Sequence, residues 1–240
     1  MTASDVPEIS IVIPIHDEEP ILHAAVVDLR ERLREVSPTW EILLCENGSS
    51  DRTRQIASAL AAKYPEVRSF SIPAPNYGQA LRLGILNATG QVVVCEEIDL
   101  CDVDFHMRAL EHLRAGQADM VLGSKLLTGA SDERPYLRHL ASRCYSEVLR
   151  WAFGLRATDT HGLKAFRRAL LLPIIERCVV DMDVFASELV IRAERAHIRI
   201  KELPVRVIEK RRPSINLLSR MPRVAFNLLR LSRSLRSTDR

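Results

Sequence analysis

Short apolar runs alternate five times with amphipathic helical stretches before Gly123. The runs cover residues 9–14, 41–45, 67–72, 91–96 and 119–123. Between them, residues 20–36, 51–63, 76–88 and 103–115 carry apolar side chains at helical spacing. The run over 9–14 predicts a short buried strand, and the run over 91–96 a strand buried on both faces, central in a parallel sheet. Strand, helix, strand with short connections predicts right-handed crossovers in a parallel sheet with helices on both faces. The expected class is therefore α/β, Rossmann-like and mostly parallel.

After Gly123 the rhythm changes. A loop at 125–135 leads to a predicted helix over 136–153, a glycine-containing turn at 159–162, a helix over 184–196 and a strand over 199–207. No linker separates the halves, so residues 1–218 read as one domain and residues 219–240 as a distinct C-terminal segment.

That segment is basic. From Glu209 to Arg240 there are nine Lys/Arg against two Asp/Glu, a net +7, and the rest of the chain is −4. Val224, Ala225, Leu228, Leu231 and Leu235 recur at helical spacing, Arg220, Arg223, Arg230, Arg233 and Arg236 lie largely elsewhere, and Pro222 suits a first turn. Such a helix fits an anionic membrane interface. The same stripe also fits packing on the protein's own core or on a second copy in a homodimer. Phe226 is the segment's one aromatic residue, which argues against nucleic acid. No apolar stretch is long enough to span a bilayer, and the first residues lack the pattern of a secretory signal. Five cysteines without a Cys-x-x-Cys favour a reducing compartment and no zinc site. The expectation is a cytoplasmic protein, peripheral at the inner face of a membrane.

In open α/β sheets, ligands bind beyond the carboxyl ends of the strands. Four polar segments fall there: Pro14-Ile15-His16-Asp17-Glu18-Glu19, Glu46-Asn47-Gly48-Ser49-Ser50-Asp51, Asn76-Tyr77-Gly78 and Glu97-Ile98-Asp99. Acids and amides after two strands can read a nucleoside through hydrogen bonds. An acid pair after a third can hold a hard cation that in turn holds phosphates. Taken alone, Glu97 and Asp99 could equally be solvated acids at a strand end.

In this order the segments resemble glycosyltransferase family 2 of the GT-A fold, and within it the polyprenyl-phosphate sugar synthases such as the dolichyl-phosphate mannose synthases. Gly123-Ser124-Lys125, Gly162-Leu163-Lys164 and Glu202-Leu203-Pro204-Val205 extend the resemblance over about residues 8–218. Departures are Asp17 for Asn, Glu46-Asn47 for Asp-Asp, Glu97 for the first Asp of the acid pair, and Cys101 at a usually polar position. The resemblance implies nucleotide-sugar contacts from Pro14, Asp17, Glu18, Glu46, Asn76, Glu97, Ile98 and Arg211. It implies Mg2+ or Mn2+ on Glu97 and Asp99, and an acceptor phosphate gripped by Arg138, Ser142 and Lys125. Asp159 reads either as the cap of its own turn or as a general base, and His161 as a turn residue or a site residue.

The implied reaction is an inverting displacement that moves mannose or glucose from a GDP- or UDP-sugar to a polyprenyl phosphate. A lipid phosphate is already anionic and needs no strong base. A saccharide hydroxyl, the second acceptor class, would need Asp159 or Asp102 to take its proton. A third reading is an inactive nucleotide-sugar-binding or scaffolding protein.

Overall fold

The computed structural model describes residues 6–132, 136–207 and 217–238. Strands β1 (Ile9–Ile15), β2 (Trp40–Asn47), β3 (Val67–Ile72), β4 (Val92–Cys95) and β5 (Met120–Ser124) alternate with helices α1 (Leu22–Val36), α2 (Thr53–Lys63), α3 (Tyr77–Asn87) and α4 (Val103–Arg114). The remainder comprises β6 (Ser131–Asp132), α5 (Tyr136–Phe153), β7 (Lys164–Arg167), α6 (Arg168–Glu176), a 3-10 turn (Met182–Val184), α7 (Phe185–Arg195), β8 (Ile200–Pro204), β9 (Arg206–Val207) and α8 (Leu217–Thr238).

The main sheet has seven strands in the order β3-β2-β1-β4-β7-β5-β8. Its pairings are parallel except those of β7, which runs antiparallel to both β4 and β5. The expected α/β class holds, with one addition. β7 and α6 were not expected: β7 is only four residues long, Lys-Ala-Phe-Arg, and is entered directly from the turn at 159–162. By wedging between β4 and β5 it brings that turn beside the end of β4.

Each face of the sheet carries its own core. Alternate strand residues such as Ile11, Ile13, Leu44 and Val94 pack under α1, α2 and α4. The opposite set, including Val12, Leu43 and Val93, packs under α3, α6 and α7. Phe105, Phe166 and Phe185 are fully buried, each worth about 1.5–3 kcal/mol of transfer free energy. Asn76 caps α3 by accepting from Gln79 N, and Asp102 caps α4 by accepting from Phe105 N.

The C-terminal helix corrects one expectation. Leu231 and Leu235 of α8 are buried in the second core, with Val224 and Leu228 packed against it, while Ala225 is exposed. Arg192 donates to Ser234 Oγ at 2.9 Å, and Arg223 Nη2 lies 3.2 Å from Asp183 Oδ2. The stripe expected on a membrane thus packs on the protein's own second core, against α7 and the 3-10 turn. The helix begins at Leu217, so Pro222 lies inside it and not in its first turn. Among the described residues no helix is long and apolar enough to cross a membrane.

Candidate active site

The loops after β1 and β2 are tied into one wall. His16 Nδ1 donates to Asn47 O at 2.8 Å. Asp17, at φ 52, accepts from Ser50 N at 2.8 Å and donates its own N–H to Ser49 Oγ at 3.1 Å. Glu18 N donates to Thr53 Oγ1 at 2.7 Å. Glu46 is buried, and its carboxylate accepts from Ser49 N at 2.5 Å and from Ser71 Oγ. Burial alone would raise its pKa, but these hydrogen bonds outweigh it and hold the carboxyl below its usual range. Asn76 Oδ1 also accepts from Met182 N at 2.9 Å, so it ties α3 to the 3-10 turn. Pro14, half-buried on β1, sits opposite Cys45 of β2.

β4 ends at Cys95 and the chain turns sharply. Glu96 points inward, where it accepts from Glu97 N at 2.8 Å, Asp102 N at 3.1 Å and His106 Nε2 at 2.7 Å. Glu97 points outward, Ile98 drops into the core, and Asp99 is half-exposed. Anything Ile98 offers a ligand therefore comes from its backbone. This spacing puts two carboxylates on the outer side of one loop.

Glu97, Tyr77 and His161 each keep a solvent-reachable surface while protein surrounds them on most sides: they line the floor of an open cleft. Desolvation there, then repulsion from Asp99 and Glu96, pushes Glu97 up to about 7, with Lys125 and Lys164 offsetting only part of the rise. The same surroundings raise the Tyr77 hydroxyl well above its ordinary value. Desolvation, with Lys125 next, lowers His161 to about 4.

The facing wall comes from the turn before β7. Lys125 Nζ donates to Asp159 Oδ2 at 2.7 Å. Asp159 Oδ1 accepts from His161 N at 2.9 Å, the hydrogen bond of an Asx turn. Burial would raise Asp159, but Lys125 and these bonds keep it below the usual carboxylate range. Glu202 of β8 holds the turn from behind through Thr158 N at 2.9 Å and Thr158 Oγ1 at 2.8 Å. Lys164, almost fully buried, donates to Gly162 O at 2.7 Å, and desolvation lowers its pKa. His161 Nε2 donates to Asp183 O at 3.0 Å, and its ring stacks edge-on against Tyr145. A Cβ at Gly162 would stand 1.8 Å from Gly123 O, so only glycine lets the turn approach β5 this closely. Gly78 likewise sits against the 3-10 turn, where a Cβ would stand 2.6 Å from Met182 N.

Helix α5 has the expected bounds. Ser142 is half-buried on it, while the side chain of Arg138 and all of Arg211 lie outside the described residues. The structure thus joins Glu97, Asp99, Lys125 and Asp159 at one cleft. It adds Tyr77 and Lys164, the middle residue of Asn76-Tyr77-Gly78 and the last of Gly162-Leu163-Lys164, whose motifs alone do not mark them as site residues. It also adds the Glu96–His106 pair, which no motif marks. Lys164 becomes legible once residues 164–167 are seen as a strand with an inward lysine.

A divalent cation fits this donor set. The two outward carboxylates are hard oxygen ligands, and their mutual repulsion in a desolvated cleft is what a cation relieves. Among the described residues no group of three or more His, Cys, Asp or Glu is arranged to hold a metal, so two carboxylates completed by ligand oxygens are the available site.

The sheet order, the antiparallel β7 and the acid loop at the end of β4 define a domain of the GT-A type. The chain belongs to glycosyl transferase family 2, whose profile matches residues 10–173. It is 29% identical to glycosyltransferase AglD of Haloferax volcanii, over 82% of this chain and 32% of that protein. It is 31% identical to an undecaprenyl-phosphate 4-deoxy-4-formamido-L-arabinose transferase of Pectobacterium carotovorum, over 77% of this chain and 61% of that protein. A dolichyl-phosphate beta-glucosyltransferase of Trichomonas vaginalis is 25% identical over 82% of this chain and 64% of its own. The chain thus spans between 32% and 64% of these relatives' length. In fold it resembles glucosyl-3-phosphoglycerate synthase of Mycobacterium tuberculosis, crystallised with Mn2+, UDP and phosphoglyceric acid. The TM-score is 0.68 at 23% identity, over 94% of this chain and 78% of that one.

Proposed function

We propose that the protein is an inverting glycosyltransferase that moves a hexose, mannose or glucose, from a GDP- or UDP-sugar to a polyprenyl phosphate. The observation that carries this reading is the cleft itself: an outward acid pair, Glu97 and Asp99, faces a wall of buried cations, and both carboxylates expected as bases are already engaged. Asp159 is held by Lys125 and by its own turn, and Asp102 is spent capping α4. That arrangement suits an acceptor that arrives as an anion and disfavours a saccharide hydroxyl, whose proton must go to a positioned base. Two relatives named for undecaprenyl-phosphate and dolichyl-phosphate chemistry support the same acceptor class.

In this reading Glu97 and Asp99 hold Mg2+ or Mn2+, which supplies charge neutralisation for the departing nucleoside diphosphate. The wall of Asp17, Glu18, Glu46 and Asn76 positions the nucleoside, and Pro14 and Ile98 contribute through shape and backbone. Ser142 and Arg138, one turn apart on α5, take the acceptor phosphate. Lys125 and Lys164 add positive potential behind it, and Arg211 closes over the donor diphosphate. The acceptor oxygen attacks the anomeric carbon from the face opposite the leaving diphosphate, and positioning supplies most of the acceleration.

An anionic membrane surface on the cytoplasmic side is the proposed partner. Support now comes from α5, where Leu140, Cys144, Val148 and Trp151 form one exposed stripe beside Arg143, with Arg150 paired to the exposed Glu147 on the same side. Trp151 is 91% exposed. The test is incubation with radiolabelled UDP- and GDP-hexoses, a short polyprenyl phosphate and Mn2+. Label should enter the organic phase only with the phosphate acceptor and should stay out of it with EDTA. Label delivered only to a saccharide hydroxyl, or to nothing, overturns the reading.

A further inference from the structure

We propose that Glu96 and His106 are positioning residues, a sealed carboxylate–imidazole pair that sets the geometry of Glu97 and Asp99. The inference rests on the reading that this acid pair takes a divalent cation. Glu96 is 2% exposed and His106 0%. A carboxylate so placed is costly unless its hydrogen bonds are made. All three donors that satisfy it come from the acid loop or the helix behind it.

The bonds form a bracket. Glu96 Oε1 accepts from Glu97 N at 2.8 Å, and Oε2 accepts from Asp102 N at 3.1 Å. The two ends of the segment that presents the acid pair therefore close on one side chain. Inside the bracket Leu100 N and Cys101 N both donate to Glu97 O, at 3.0 and 3.2 Å. Cys101 is held at φ 45, a left-handed conformation that a cysteine adopts only when its surroundings impose it. Ile98 anchors the middle of the loop in the core.

His106 fixes the bracket in turn. It lies on α4, and its Nε2 donates to Glu96 Oε2 at 2.7 Å. Its Nδ1 is buried with no hydrogen-bond partner, so that single bond carries the polar function of the ring. The ring orients Glu96, Glu96 orients the loop, and the loop aims two carboxylates outward. This is the arrangement by which groups behind a metal's ligands tune its affinity. Glu96 itself, with all three donors in place and no surface, is not a ligand.

The test is Mn2+ affinity, read by electron paramagnetic resonance in the presence of UDP, beside urea unfolding of the same samples. His106→Leu should weaken Mn2+ by about tenfold to a hundredfold. His106→Gln, whose amide nitrogen reaches the Nε2 position, should recover most of that loss. Glu96→Gln keeps one acceptor oxygen, so it cannot accept at both ends of the bracket, from Glu97 N on one side and from Asp102 N and His106 on the other, and should weaken Mn2+ by about tenfold even if His106→Leu does not fold. The proposal is overturned if the folded variants bind Mn2+ within about twofold of the parent while losing stability, since the pair then only holds the core together. A parent protein that fails to bind Mn2+ removes the metal reading itself, and the proposal with it. That outcome is told apart because it appears before any substitution.

Discussion

Lys125 Nζ and Asp159 Oδ2 meet at 2.7 Å in the wall of the cleft, with side chains 9% and 5% exposed. Removing one partner of so buried a pair strands the other charge, at a cost of about 3–5 kcal/mol. Asp159→Asn should therefore lower stability, most clearly in urea unfolding near neutral pH. Asp159 is held below its usual range, so its ionisation stabilises the fold above the unfolded carboxyl's 3.8 and that contribution is lost as pH falls through the lower folded value. What Asp159→Asn should not do is remove a limb from the pH–rate profile, because no proton passes to this carboxylate. A lost acidic limb would restore Asp159 as the general base and a hydroxyl as the acceptor.

Asp99→Ala and Glu97→Gln address the cation. With the parent protein, Mn2+ plus UDP at about a hundred times the dissociation constant should stabilise the fold by about 2.7 kcal/mol. Asp99→Ala should abolish that increment and lower turnover by about 10²–10³, the scale expected when one charge-stabilising group is lost. Differential scanning fluorimetry with and without EDTA reads the first effect. Turnover untouched by either variant would leave the cleft as a metal-free site.

His161 gives the pH dependence its sign. Folding lowers its pKa from 6.5 to about 4, chiefly by desolvation and then by Lys125. Between those values the unfolded chain binds the proton and the native state does not, so stability falls as pH drops from 6.5 towards 4. The edge-on contact with Tyr145 and the bond to Asp183 O hold the ring in place throughout. His161→Gln should flatten that part of the stability curve. An unchanged slope would assign it to other groups.

Periodicity carries most of the alternating half of the fold, because buried strands such as β1, β2 and β4 and helices of one apolar stripe leave clear patterns, while the half-buried edge strand β3 is placed by its neighbours. The acid pair at the end of β4 is legible for the same reason: an apolar run that stops in carboxylates marks a sheet edge. β7 is too short to show alternation, and its antiparallel insertion depends on which strands it meets, a tertiary fact. The Glu96–His106 pair escapes because two polar residues ten positions apart give no sign that both face inward. The α8 stripe is visible as a stripe, but amphipathicity does not say whether lipid or protein covers it.

Gly162→Ala tests the close approach that shapes the wall. The added methyl would stand 1.8 Å from Gly123 O, a backbone atom that cannot rotate away. Either β7 or β5 must shift, and overpacking of this kind costs about 3 kcal/mol or more. Since Asp159, His161 and Lys164 ride on the same turn, turnover should fall further than stability explains. A variant of parental stability in urea would mean the turn relaxes freely.

Trp151→Glu separates the two apolar helix faces. Trp151 stands 91% exposed on α5, so replacing it removes no core contact, and stability should stay within about 0.5 kcal/mol of the parent. If this stripe lies on lipid, sedimentation with anionic vesicles should drop several-fold, because a buried aromatic is exchanged for a charge that the leaflet repels. Leu231→Glu on α8 should behave in the opposite way. Leu231 is fully buried, so a carboxylate there destabilises the body by several kcal/mol whatever the membrane does. Vesicle binding that survives Trp151→Glu would move the contact away from α5. A parent that elutes as a dimer, with Trp151→Glu monomeric, would assign the stripe to a second copy of the chain.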